Sequence, residues 1–383
     1  MDALDFKLAG GGILGRILPK RVIGRKAARV AAIAIAWVPL LVICLIAGTA
    51  AGKAVDVPFF GDHVVQVRYL ISLPILMAAG FIINRRLSDI VSYLWNSDIL
   101  VGDDRNRFQA AVREVTRRCG AIVPDIVILI VVYALAWAIS SAGPPDGVTT
   151  WAYAGSGPDG ELSAAGWWSA LVSLPLWQFA LIRWAWRIFF WCRFLQKVSR
   201  LDLKLTPTHP DRAGGLGILQ MGQTSLAPLV FSVAAVLSAS LAFSMHHGDL
   251  TLPASAPTIC VFAVLALLFI IGPLFVFVPK LVGAKRKGLV EYGDLADDLF
   301  GAFDAKWIRK SDEEQRKLLG DPDPSSLSDF GYAYEIVTEM RIVPFGRRNL
   351  TAVAIAILIP FVPLLLVEHS VKEILQRIAG LLF

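Results

Sequence analysis

The chain is expected to be an all-α, polytopic helical membrane protein, with six to seven transmembrane helices and a helical cytoplasmic layer. Three observations predict this. Of its 383 residues, 56% are hydrophobic and only 18% charged, against about a quarter charged in soluble domains. Several apolar runs reach the ~20 residues that a bilayer core requires. The polar stretches between them alternate in basic charge. Lys plus Arg number 7 in residues 1–29, 2 in 51–68, 7 in 85–123, 0 in 142–165, 5 in 193–222, 0 in 246–256, 11 in 283–348 and 2 in 369–383. The positive-inside rule then puts the N-terminus and the basic stretches in the cytoplasm.

Residues 13–29 mix apolar and basic side chains and suit a helix at an anionic membrane surface or a flexible basic flank. The first span is read at Val30–Ala50, too long for the apolar core of a cleavable signal. An external loop follows, and then a second span at Tyr69–Asn84. Leu87, Ile90, Val91, Leu94 and Trp95 keep helical spacing beyond it, up to a break at Asn96-Ser97-Asp98. Asp103 to Cys119 forms an amphipathic helix with Phe108, Val112, Val115 and Cys119 on one face. Pro124-Asp125 opens the third span, Ile126–Ser140, and residues 142–165 are an external loop.

The fourth span starts at Trp167, is rich in Trp and Phe, and carries Arg183 and Arg187 four residues apart. The fifth, Leu226–Met245, is rich in small residues that let helices approach closely. The sixth, Thr258–Val282, contains Gly272-Pro273. Residues 283–348 form a polar insertion of two amphipathic helices, the second capped at Ser325 or Ser326 after a turn at Asp321–Pro324. The seventh segment, Leu350–Val367, is interrupted by Pro360 and Pro363 and either spans or re-enters. An amphipathic tail closes the chain. The domains are therefore a six-span unit (1–282), a cytoplasmic helical insertion (283–348) and a last membrane segment with its tail (349–383). No internal repeat is read.

Chemistry concentrates in Thr206–Gly217, T-P-T-H-P-D-R-A-G-G-L-G. Pro207 and Pro210 forbid a regular helix there. Gly214, Gly215 and Gly217 permit backbone geometry closed to other residues. His209, Asp211 and Arg212 between them have two readings. In one they face an ion or solute path at the cytoplasmic side. In the other Asp211 caps the following helix and Arg212 pairs with a carboxylate. Arg183 and Arg187 either snorkel to the inner surface or pair with other groups, or they line a vestibule that draws anions. Asp125 is a helix-start residue or an ion site. Asp62, His63, His246, His247 and Asp249 could gather outside, but their spacing matches no metal motif. No catalytic constellation, metal site or cofactor motif is read, and the four cysteines form no recognisable framework.

The stretch L-T-P-T-H-P-D-R-A-G-G-L-G, with M-R-I-V-P-F-G-R-R, the Pro360/Pro363 span and the final K-E-I-L-Q-R-I-A-G-L-L-F, resembles a family of bacterial multi-spanning membrane proteins. The resemblance implies a bacterial source and the inner membrane, and it brings no activity.

The function expected is passage of small ions or solutes through a channel or transporter, as a homo-oligomer. Anions are favoured because a basic mouth concentrates them. The alternatives are a membrane enzyme acting on a lipid or polyprenyl substrate at the cytoplasmic face, and a scaffold or sensor binding a cytoplasmic protein. The net charge of +6 follows from the basic cytoplasmic loops, so nucleic acid is not an expected partner.

Overall fold

The computed structural model describes residues 6, 8, 22–141, 148–155, 160–248, 250–309 and 322–368. The protein is all-α and polytopic. Seven of its helices are long and apolar enough to cross a membrane: α1 (Val22–Ile46), α2 (His63–Asn96), α4 (Val123–Ser140), α5 (Ala164–Ser199), α6 (Leu219–His247), α7 (Leu252–Ile308) and α9 (Arg347–Leu365). Among the described residues two further helices, α3 (Asp104–Gly120) and α8 (Pro322–Thr338), accompany them. A hairpin of two short strands, β1 (Tyr153–Ala154) and β2 (Glu161–Leu162), lies in the stretch read as a plain loop.

Several elements differ from the sequence reading for local reasons. The first span starts earlier, so part of the basic flank already belongs to α1; residues 13–21 lie outside the described set, as does the C-terminal tail. The sixth span does not stop at Val282. Gly272–Phe277 winds as a short 3-10 turn with Pro273 in its first positions, where the missing N–H has no partner to lose. The helix then runs through the boundary near residue 283 to Ile308. In α9, Pro360 and Pro363 likewise open new turns, so the segment continues as one span-length helix. α8 begins at Pro322, which puts Ser325 and Ser326 inside its first turns rather than at its cap.

The structure also contains a repeat that the sequence reading missed. α2 and α5 are built alike. Each opens on a side-chain cap: Asp62 accepts from the Val65 N–H, and Ser163 from the Gly166 N–H. Each widens into a π turn, Val67–Ser72 and Ser169–Ser173. Each then continues as Ser-Leu-Pro into a long α-helix, Leu73–Asn96 and Leu174–Ser199. An ordinary α turn would press each proline ring against the carbonyl four residues back, and the wide turn relieves that clash.

The π-turn serines tie the repeats to different neighbours. Ser72 Oγ lies 2.7 Å from Ser232 Oγ of α6 and accepts from Trp177 Nε1 at 2.8 Å. Ser173 Oγ donates to the Ala36 carbonyl of α1 at 2.7 Å. The two long helices also meet directly, through Trp184 Nε1 donating to the Leu76 carbonyl at 2.9 Å. The chain entering each helix is paired at Val57 and Thr150, and the chain leaving each at Leu100 and Leu203.

The main core lies between these helices and α3. The apolar face of α3 packs on α5, with Phe108 5.6 Å from Phe194 and 6.3 Å from Trp95, ring centre to ring centre. Glu114 and Lys197 form an ion pair across the same contact. Phe6 and Leu8, near the N-terminus, are also buried in this core, Phe6 against Trp191 and Phe194.

Candidate functional site

Thr206–Gly217 folds as a tight knot in the connection between α5 and α6. The His209 N–H donates to the Thr206 carbonyl at 3.0 Å and the Arg212 N–H to the His209 carbonyl at 2.9 Å. Arg212, Gly214 and Gly215 all have positive φ, of 52°, 65° and 94°. That run of left-handed backbone turns three amides inward, and Asp211 collects them. Its Oδ1 accepts from the Ala213 N–H at 2.8 Å and the Gly215 N–H at 3.2 Å, and its Oδ2 from the Gly217 N–H at 2.7 Å. His209 Nδ1 lies 2.8 Å from the same Oδ1. These contacts nearly fill the accepting capacity of one carboxylate. A Cβ on Gly217 would stand 2.8 Å from Asp211 Cβ, so the close approach requires glycine there.

The knot is fastened on three sides. Arg212 pairs with Glu339. Arg341 Nη2 donates to the Asp211 carbonyl at 2.6 Å, and the Arg341 N–H to the Arg212 carbonyl at 2.7 Å. Pro207 fits against Gly288 of α7, where a Cβ would fall 2.6 Å from the proline Cβ. Gln220 Oε1 accepts from the Gly346 N–H at 3.0 Å. His209, Asp211 and Arg212 are thus brought together, but Asp211 and Arg212 are engaged with the protein itself.

A second cluster forms where α3 ends, α4 begins and α5 passes. Arg183 Nη1 is 2.8 Å from Asp125 Oδ1, and both side chains are buried. Arg183 Nη2 donates to the Cys119 carbonyl at 2.7 Å. That carbonyl is available because it lies in the last turn of α3, whose terminal carbonyls lack helical partners. Asp125 sits in the first turn of α4, where the helix dipole favours a carboxylate.

Arg187, one turn further along α5, is half-buried and lies 5.0 Å above the Trp184 ring. Its Nε is shielded from solvent and bonds no group among the described residues. The cluster therefore holds two guanidinium groups against one carboxylate. Depth follows from helix rise. Trp167 lies near the N-terminal end of α5, and Arg187 lies twenty residues on in the same span-length helix, about 30 Å along the axis. That is roughly the thickness of a hydrocarbon core.

Of the residues read as external, only the three histidines come together, with ring centres 6.2 Å apart for His63 and His246 and 6.1 Å apart for His246 and His247. The Asp62 carboxylate, however, accepts from the Val65 N–H and from Trp151 Nε1, and Asp249 lies outside the described residues. Among the described residues no three His, Cys, Asp or Glu side chains gather as a metal site.

Sequence reasoning passed over Gln223. It is fully buried, and neither amide atom has a hydrogen-bond partner among the described residues. The signal was a polar side chain beside the apolar run of α6. It also passed over Ser72 and Ser232, whose pairing needed the packing of α2 on α6.

No family model matches the chain, and neither a curated protein nor a solved structure matches it.

Proposed function

We propose that this protein passes small ions or solutes across the membrane as a channel or transporter, with anions favoured, and that Arg187 supplies the attracting charge. The observation that carries this reading is the charge imbalance of the inner cluster. Asp125 pairs with Arg183, and Arg187, one turn along α5, forms no ion pair of its own among the described residues, so two guanidinium groups share the field of one carboxylate. A guanidinium at the edge of an apolar slab attracts anions more strongly than one in water, because the low-dielectric surroundings screen it less. The π turns in α2 and α5 support the reading, since such turns recur at functional sites in helices. The orientation proposed, N-terminus in the cytoplasm of a bacterial inner membrane, rests on the alternation of Lys and Arg along the chain.

The test is flux of chloride against potassium in liposomes carrying the purified protein, beside an Arg187→Gln variant. Anion-selective flux that loses its selectivity in the variant supports the proposal. Selective flux that the variant leaves unchanged removes Arg187 from the path. Absence of flux across salts, voltages and pH transfers the reading to a scaffold.

The scaffold is the second reading, favoured by one observation. Beyond the membrane-length part of α7, Val290, Leu295, Phe300 and Ile308 are exposed, as is Tyr332 on the adjoining α8. Apolar side chains exposed on a cytoplasmic arm offer a surface to a protein partner.

A further inference from the structure

A cavity of about 400 Å³ opens at the end of α4, under the β1–β2 hairpin. It is lined by Trp137, Ser140, Ser141, Glu161, Leu162 and Trp167, and its volume lies in the range of small-ligand sites. It is separate from the inner cluster, which lies at the other end of α4.

Four features of this cavity select for positive charge. Glu161 brings a carboxylate that forms no ion pair among the described residues. Trp137 and Trp167 present two indole rings with centres 6.4 Å apart and planes inclined at 45°, and indole is the best cation–π partner among side chains. Ser140 and Ser141 mark the C-terminus of α4, where the helix dipole is negative. The stretch 142–165 contains no Lys or Arg that would occupy the carboxylate. The hairpin is held over the helix end by Tyr153, whose hydroxyl donates to the Ser140 carbonyl at 3.0 Å, so the carboxylate and the rings belong to one fixed frame.

An inorganic cation would be satisfied by oxygen ligands alone and would gain little from two indoles. A carboxylate beside aromatic faces suits a cation that is also apolar. We propose that this cavity binds an alkylammonium group, with Glu161 as its counter-ion and Trp137 and Trp167 as its aromatic walls. The group has two possible sources, a soluble amine or the headgroup of an outer-leaflet lipid, and the chemistry of recognition is the same for both.

The test is calorimetric titration of the full-length protein, held in bilayers of phosphatidylglycerol alone, with choline and with its neutral isostere in which carbon replaces the nitrogen. Saturable choline binding is expected, about tenfold tighter than that of the isostere and weakened about tenfold by Glu161→Gln. Equal binding of choline and isostere overturns the proposal. So does choline binding that Glu161→Gln leaves unchanged, or no binding of choline at all. If Glu161→Gln does not fold, the choline and isostere comparison on the unaltered protein decides alone. Phosphatidylethanolamine added to the bilayer separates the sources: competition identifies the lipid headgroup as occupant, and unchanged binding identifies a soluble amine.

Discussion

Asp125 and Arg183 face each other at 2.8 Å across α4 and α5, with side chains only 1% and 3% exposed. Removing Asp125 leaves Arg183 buried without its counter-ion, which costs about 3–5 kcal/mol. Asp125→Leu alone should therefore lower resistance to thermal unfolding in detergent sharply. The paired Asp125→Leu, Arg183→Met change should recover most of the loss, since both charges go together. Equal damage from the single and paired changes would mean that the pair is not what holds this junction.

Arg187 should behave in the opposite way. It forms no ion pair of its own among the described residues, so Arg187→Gln should lower the unfolding free energy by only about 1 kcal/mol, well short of the loss from Asp125→Leu. Its effect should appear in flux selectivity instead. Arg187→Lys should keep the charge but lose the flat stacking on Trp184, giving an intermediate selectivity.

Asp211→Ala should act on stability. Three backbone N–H groups, those of Ala213, Gly215 and Gly217, lose their acceptor, and each unsatisfied buried donor costs about 1–3 kcal/mol. Partial relaxation of the loop reduces the total, so a loss of roughly 2–4 kcal/mol is expected. Limited proteolysis between α5 and α6 should report it, with cleavage appearing near Thr206–Gly217 in the variant and not in the wild type.

Cys119 gives a pH dependence. Burial at the end of α3 pushes its thiol from 9.0 up to about 11. Burial favours the neutral thiol, so the folded state holds the proton more tightly than the unfolded chain. The stabilisation is fully present below pH 9 and is lost as pH rises toward about 11. That displacement corresponds to roughly 2–3 kcal/mol. The unfolding free energy of wild type should therefore fall more steeply than that of Cys119→Ala over this window. Parallel curves would remove the thiol as the cause.

The helices were readable because lipid imposes a simple requirement. A span must be long, apolar and internally hydrogen-bonded, and composition reports the first two directly. The face of α3 was readable from Phe108, Val112, Val115 and Cys119 at helical spacing. The proline-bearing stretches were harder. At Gly272-Pro273 and Pro360/Pro363 a short 3-10 turn absorbs the ring, and sequence cannot distinguish that from a break. The repeat was missed for a related reason. Only the Ser-Leu-Pro triplets and a few neighbours match in sequence, whereas the shared cap and π turn appear only in backbone geometry. The residues of the candidate site were nearly all visible as unusual types in their segments. Their partners were not, because Glu339 and Arg341 reach Arg212 and Asp211 from far along the chain.

The two-ended tie between α2 and α5 has a consequence for how the protein is made. Equivalent positions of the two helices, such as Ser72 and Ser173, lie 101 residues apart. Val57 and Leu100 leave the ribosome long before Thr150 and Leu203, the residues that pair with them. At translation rates of about 5–20 residues per second, the first helix waits roughly 5–20 s for its twin. During that interval the Ser72 hydroxyl and the Leu76 carbonyl face the bilayer without Trp177 and Trp184, which later donate to them. The first repeat therefore enters the membrane as an unfinished half, and the birth of the second completes it.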